Sequence, residues 1–343
     1  MDVHSTGLGS APPPETGAAG PRVHVEMAPV DGRMRVIELS GRVAGVKIER
    51  ALERLGGVAT AAELVRSCSR RRLRIALARG RVVRDGHGRY SLPDVDEALR
   101  AANRLSGVLC LDSAALYHGW KVKTLPQLPA VAVPRNRKLA PERRKGLRVR
   151  YVDVPADEVR GRATGYVRTV MDCAARMPFD EALAIADSAL RAGDVTRREL
   201  VQASEQMPDR SRALCVRVAE AADARADNPF ESVLRAIALE VGGLCVEPQV
   251  WIGDRRADLV DETSKIVLEA ESFEFHGMRK HLRRDCKRYN AFVLGGWLVL
   301  RFAWEHVMFE PAYVRQVLES AVDLVSGGPD GRALDRPRQR PAA

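Results

Sequence analysis

Between residues 47 and 93 the hydrophobic period changes three times, and the order of those changes restricts the fold more than any other feature of the chain. KIERALERL places Ile48, Leu52 and Leu55 at helical spacing before Gly56-Gly57 stops the helix. Thr60 then opens AAELV, with Glu63 three residues on as in a capping box. SCSRRRLRIALARGR follows. Ser69 is placed to cap a third helix, Leu73 and Leu77 share one face with Ile75 and Ala76 beside them, and Gly80 ends it. RVVRDGHGRYSL switches to a hairpin: Val82-Val83 in one strand, Asp85-Gly86 and Gly88 in the turn, Tyr90 and Leu92 in the return strand. Three short helices and a two-stranded wing predict a winged helix-turn-helix over 45–95.

Such a domain places its third helix in the major groove of double-stranded DNA. Arg70, Arg71, Arg72 and Arg74 would reach phosphates and guanine edges, while Arg81, Arg84 and Arg89 of the wing touch the flanking backbone. From Arg70 to Arg89 eight basic residues stand against Asp85 alone. The competing reading is a solvated basic face with no ligand. Charge distribution favours nucleic acid: residues 36–160 hold 26 basic and 13 acidic residues, so the +10 of the whole chain divides into +13 there and −3 elsewhere. A helix-turn-helix often works as a dimer on palindromic half-sites, so a homodimer is one option, and the sequence leaves the oligomeric state open.

The rest of the composition excludes other classes. The apolar run AFVLGGWLVL is far short of the ~18 residues of a membrane span. Residues 1–35 have no apolar stretch behind a basic start, so they read as a disordered leader, as do residues 327–343 as a tail. Six cysteines without a CxxC pair argue against a zinc ribbon or disulfide framework, and a reducing cytoplasm fits them.

GGVATAAELV and SRRRLRIALARGRVVRDGHGRYSL, within residues 47–93, resemble the N-terminal region of the AbiEi-type antitoxins, transcriptional regulators of abortive-infection toxin systems. The resemblance implies DNA binding and a cognate toxin protein as partner. It extends over about 100–205, where LDSAALYHGW is similar to the family's short helix, LPAVAVP to a following strand, and GYVRTVMDCAARMPFDEALAIADSALRAG to its helical section. No binding residue carries over from that middle part. Read from the residues, Leu183, Ile185, Ala186 and Leu190 form the core face of a helix; His118 is open to polar chemistry, but a lone histidine near Trp120 is more often structural.

Residues 226–325 change character. NPFESVLRAIALEVGGL is a helix capped by Asn228 with Pro229 in its first turn. Three strands follow, CVEPQVWI, RRADLVD and KIVLEAES, with a turn at Asp261 to Ser264 between the last two. Then come a basic helix, MRKHLRRDCKRYNAFVLGG, a buried strand, WLVLRFAW, and a helix over 311–325. Strand alternation projects Glu269 and Glu271 together and turns Ala270 away. Asp258 lies in the adjacent strand, close enough for three carboxylates to converge. An all-oxygen site of that kind suits Mg²⁺ or Mn²⁺, with Glu231 available as a fourth oxygen. The competing reading pairs these acids with Arg255, Arg256, Lys265 and the basic helix.

RRADLVD, IVLEAESFEFHG and RRDCKRYNAFVLGGWLVLRFAW resemble the nuclease core of a family related to the very-short-patch-repair endonucleases, within the PD-(D/E)XK fold. By that resemblance Asp258 is the first metal-binding aspartate and Glu269 the acid of the second strand. Glu271 stands where that family usually has Asp and the larger fold often has Lys. His276 would orient water or protonate the leaving oxygen. The match runs on through Arg284, Asp285 and Arg288 to Asn290, with Arg284 and Arg288 expected against DNA.

The sequence therefore predicts an α+β multidomain chain: winged helix, middle α/β region and C-terminal restriction-endonuclease-like α/β/α domain. Two functions follow. One is a DNA-binding, Mg²⁺- or Mn²⁺-dependent endonuclease with no Lys to serve as general base. The other is a regulator or antitoxin that keeps the nuclease fold as a structural or partner-binding module.

Overall fold

The computed structural model describes residues 47–271 and 278–327. The leader expected at 1–35, residues 328–343 of the expected tail, and His276 lie outside the described residues. In chain order come α1 (Ile48–Arg54), β1 (Val58–Thr60), α2 (Ala61–Ser67), α3 (Arg70–Ala78), β2 (Val83–Gly86) and β3 (Arg89–Ser91). Local capping sets the helices. Glu63 N donates to Thr60 Oγ1 at 3.1 Å and Thr60 N to Glu63 Oε2 at 2.6 Å, a closed capping box, and Ser69 Oγ accepts from Arg72 N. Ile48, Leu52, Leu64, Leu73, Ala76 and Val82 form the core between them.

The hairpin has a third strand that the sequence reading did not include. β1 pairs antiparallel with β3, giving the order β1-β3-β2 with Ala59 opposite Tyr90. Asp85, expected in the turn, belongs to β2, and its carboxylate faces inward to accept from Ser91 Oγ (2.9 Å), Arg100 Nε (3.0 Å) and Asn103 Nδ2 (2.8 Å). Arg100 and Asn103 belong to α4 (Glu97–Leu105), so the hairpin is fastened to the next helix.

The middle region continues with β4 (Val108–Leu109), α5 (Leu111–Tyr117), β5 (Ala130–Val133), α6 (Pro141–Arg144), β6 (Arg148–Tyr151), β7 (Val159–Arg160), β8 (Ala163–Thr164), α7 (Tyr166–Ala174), α8 (Phe179–Arg191), α9 (Arg197–Glu205) and α10 (Asp209–Ala221). Its sheet has the order β6-β5-β4-β8-β7, mixed in direction. Gly107 is required where β4 meets β5, because a Cβ there would lie 2.3 Å from the Ala132 carbonyl oxygen. Leu183, Ile185 and Ala186 are fully buried with Trp120, Met171 and Leu200. Burying each such Leu or Ile contributes about 1.5–3 kcal/mol. Cys215, Val218 and Ala219 of α10 join this same core, so it reaches past residue 205, where the sequence reading ended the region.

The C-terminal region comprises α11 (Pro229–Ala238), β9 (Glu247–Ile252), β10 (Arg255–Asp261), β11 (Ile266–Glu271), α12 (Met278–Leu294), β12 (Leu298–Ala303), α13 (Trp304–Phe309) and α14 (Pro311–Val325). The sheet order is β12-β11-β10-β9, with β11 and β12 parallel and the other pairs antiparallel. Leu259, Ile266, Leu268 and Phe302 pack on one face against α11, α13 and α14. Val260, Val267 and Val299 pack on the other against Phe292 of α12. Helices thus cover both faces. WLVLRFAW divides, its strand ending at Ala303 and Trp304 opening α13.

Candidate functional site

Two groups of residues carry chemistry. The first is α3 and its hairpin. Leu73 and Ala76 point into the core, which turns Arg70, Arg71, Arg72 and Arg74 to solvent. Among the described residues these four side chains enter no ion pair or hydrogen bond. Three of them occupy the first turn, where the positive end of the helix dipole disfavours cations and favours anions. Arg81 pairs with Glu49 at 2.5 Å, and Arg84 folds back onto the Gly86 carbonyl at 3.3 Å. Arg89 is half-buried. Burial lowers its pKa, and the nearby Arg162 and Arg137 guanidinium groups act in the same direction.

The second is the carboxylate group of the C-terminal sheet. Asp258 sits opposite Gln249, whose backbone takes φ +57°, and the β9–β10 ladder skips that pair. At the same point β10 parts from β11. The Ala270 N–H donates to Asp258 Oδ2 at 2.9 Å, and the β10–β11 backbone pairing runs from Asp261 only as far as Leu259. Beyond it Glu269 and Glu271 face α12 while Ala270 packs on the opposite side. Glu269 is 1% exposed, pairs with Arg288 at 2.9 Å and leaves Oε1 buried without a hydrogen-bond partner. Glu271 accepts from Tyr289 Oη and, at 3.0 Å, from Arg301 Nε. Glu231, in the first turn of α11, is held by Asp227 N (2.9 Å), Asn228 Nδ2 (2.7 Å) and Gln249 Nε2 (2.8 Å).

These acids sense one another. Burial, reinforced by the Asp258 charge, pushes the Glu269 carboxyl up to about 8 against the pull of Arg288. Burial pushes Glu231 up to about 7, with Asp258 again adding to it. Asp258 is itself raised by burial, opposed by the Ala270 hydrogen bond and by Arg288. Oxygen donors of this kind match Mg²⁺ or Mn²⁺ in type, and the orphaned Glu269 Oε1 is an open acceptor. The arrangement does not match in number. Glu231 and Glu271 are committed to protein donors, Arg288 occupies the side of Glu269, and no group of three or more His, Cys, Asp or Glu able to hold a metal ion occurs among the described residues.

Arg284 and Arg288 of α12 line a cleft of about 610 Å³ with Trp251, Asp254, Arg255, Arg256, Asp258 and Asp285. Sequence reasoning missed Gln249, Tyr289 and Arg301. Arg301 carried a signal, as the one charged residue in the apolar run LVLRFA. His118 is structural: Nε2 lies 2.8 Å from the Thr164 carbonyl, and the ring packs at 4.7 Å from Tyr166 and 5.0 Å from Trp120.

Residues 107–219, spanning the middle sheet and α5 to α10, match the family model described as AbiEi antitoxin C-terminal domain. The match supports an AbiEi-type family. Two Mycobacterium tuberculosis proteins, uncharacterized protein MT2308 (strain CDC 1551 / Oshkosh) and uncharacterized protein Rv2248 (strain ATCC 25618 / H37Rv), are each 27% identical over 259 residues, covering 71% of this chain and 93% of theirs. The crystal structure of the RV2827C protein from M. tuberculosis overlaps 55% of this chain and 79% of its own at 15% identity and a TM-score of 0.32, a likeness that carries no structural argument. No helix among the described residues is long and apolar enough to cross a membrane.

Proposed function

We propose that this protein is an AbiEi-type DNA-binding regulator acting with a cognate toxin protein. The match of residues 107–219 to the antitoxin domain carries the reading. The N-terminal segment acts as the winged helix: α3 enters the major groove, Arg70, Arg71, Arg72 and Arg74 engage phosphates and base edges, and Arg81, Arg84 and Arg89 hold the flanking backbone. A homodimer would span two half-sites in the cytoplasm. The C-terminal domain serves as a structural or partner-binding module in which Arg288 and Arg301 pair with Glu269 and Glu271.

The test is fluorescence anisotropy with duplex DNA from upstream of its own gene. Binding should weaken as salt rises, with log K falling by about 0.9 per phosphate contacted for each tenfold rise in salt, and should collapse when Arg70, Arg71 and Arg74 are changed to Ala together. Salt-insensitive binding, or none, defeats the proposal.

One observation favours a second reading, the metal-dependent endodeoxyribonuclease: the buried, unpartnered Glu269 Oε1 beside other carboxylates. In that reading Asp258, Glu269 and Glu231 are assigned to Mg²⁺ or Mn²⁺, Glu271 as an assistant, His276 to orient or protonate, and Arg284 and Arg288 to DNA. It requires Glu231 to leave its present donors and Arg288 to release Glu269. Nicking of supercoiled plasmid that requires the divalent ion and vanishes in Asp258→Ala and Glu269→Ala would establish it.

A further inference from the structure

The middle sheet ends on one side in a strand with an open outer edge. β6 is the last strand in the order β6-β5-β4-β8-β7 and pairs in parallel with β5. Arg148 N donates to the Pro129 carbonyl at 2.9 Å and Val152 N to the Val133 carbonyl at 2.8 Å, so the alternate residues Arg148, Arg150 and Val152 turn their backbone groups to β5. Those of Val149 and Tyr151 therefore point away from the sheet, and no other backbone segment among the described residues pairs with them. Beside this edge lies a cavity of about 600 Å³. Leu147, Val149 and Tyr151 line it from the strand and Pro141 from α6, together with Arg144 and Lys145. Tyr151 is 40% exposed. The side chains of Arg144 and Lys145 enter no ion pair or hydrogen bond among the described residues. Residues 135–150 carry eight basic side chains against one acid, Glu142, which also lines the cavity. An open edge offers hydrogen bonds to an extended chain, and a cavity on the face of alternate residues offers a seat for its side chains. Charge decides which chain fits. A second copy of β6 would bring its own Arg148 and Arg150 to a basic edge, and like charges on paired strands repel. Nucleic acid would meet the cations but leave the apolar wall of Leu147, Val149 and Tyr151 uncovered.

We infer that β6 takes up an extended acidic segment of a partner protein as an added strand, with an apolar side chain in the cavity and carboxylates against Arg144 and Lys145. Main-chain hydrogen bonds to Val149 and Tyr151 fix its direction, and the cavity and its two cations select its sequence. This contact stands apart from the duplex contact assigned to α3, and either can fail without the other.

The experiment uses the full chain and a fluorescein-labelled acidic peptide, Asp-Glu-Val-Phe-Val-Glu-Asp, read by anisotropy at about 0.15 M salt, where long-range attraction is screened. Wild-type protein should bind it. Two forms of the peptide, N-methylated at one or the other set of alternate residues, separate strand addition from charge attraction and need no altered protein. Along an added strand only every second N–H meets β6, so one form should lose at least about tenfold in affinity while the other keeps it. Arg144→Glu with Lys145→Glu should weaken binding of the unmethylated peptide about tenfold, because two exposed attractions become repulsions. Excess duplex DNA should leave the peptide bound. Equal loss in the two methylated forms, undiminished binding by the charge-reversed variant, or no binding of the unmethylated peptide overturns the inference. So does displacement of the peptide by duplex, which would make this edge a nucleic-acid surface.

Discussion

Arg235 of α11 and Asp187 of α8 form a two-pronged ion pair, Nη2 lying 2.8 Å and 2.7 Å from the two carboxylate oxygens. Arg235 is 3% exposed and Asp187 1% exposed. The Asp223 N–H also donates to Asp187, and Arg235 donates to the Ala221 carbonyl, so both ends of the pair are tied to the α10–α11 connection. The pair joins the helix at the centre of the middle core to the first helix of the C-terminal sheet.

Removing one partner leaves a buried charge alone. Asp187→Asn or Arg235→Met should each cost about 3–5 kcal/mol in urea unfolding. The double variant Asp187→Leu with Arg235→Met should recover much of that loss. A double variant as unstable as the sum of the singles would show that the pair contributes through its shape rather than its charge.

The first turn of α3 sets stability against binding. Arg72 follows Ser69 by three residues, where glutamate would close a capping box and suit the helix dipole. Arg72→Glu should therefore raise the unfolding free energy by about 1 kcal/mol. The same change should weaken duplex binding at least roughly tenfold and shorten the salt slope by about one. Unchanged DNA affinity would remove α3 from the interface.

His118 predicts a pH response. Burial lowers its pKa below the ordinary value of 6.5. The unfolded chain therefore takes up the proton first as pH falls, and the stability that the neutral ring contributes is present above about 6.5 and lost as pH falls through the lowered folded value. The melting temperature of wild type should drop between pH 7 and pH 5 by more than that of His118→Gln, whose amide can still donate to the Thr164 carbonyl. Parallel profiles for the two proteins would count against a titrating role.

Arg288 predicts the response to metal. With its guanidinium on Glu269, millimolar Mn²⁺ should not move the melting temperature of the wild type. Arg288→Met opens that side of Glu269, and Mn²⁺ at roughly ten times its Kd should then stabilise the variant by about 1.4 kcal/mol. A shift already present in the wild type would support the nuclease reading instead.

What the sequence made legible was local. The Thr60–Glu63 box, the Ser69 cap, the arginine face of α3 and the alternation of Glu269 and Glu271 all depend on residues within four positions of each other. What it hid was pairing at a distance. VAT at 58–60 is too short to declare itself a strand, and becomes one only because Tyr90 and its neighbours return alongside it. Asp85 beside Gly86 has the signature of a turn, yet Arg100 and Asn103 draw its carboxylate inward. The distance-dependent facts about the acids were equally hidden, since Arg288 and Arg301 reach Glu269 and Glu271 from a later helix and a parallel strand.

α11 has no solvent side: every residue from Phe230 to Ala238 is buried, with Ala236 in the middle core and Phe230, Val233 and Leu234 in the C-terminal one. A chain cut before Pro229 would leave Asp187 as a lone interior anion and an apolar furrow along α8 open to water. The region that matches the antitoxin domain, residues 107–219, therefore borrows one wall from α11, and that helix is indispensable to it whatever chemistry the C-terminal sheet has or lacks.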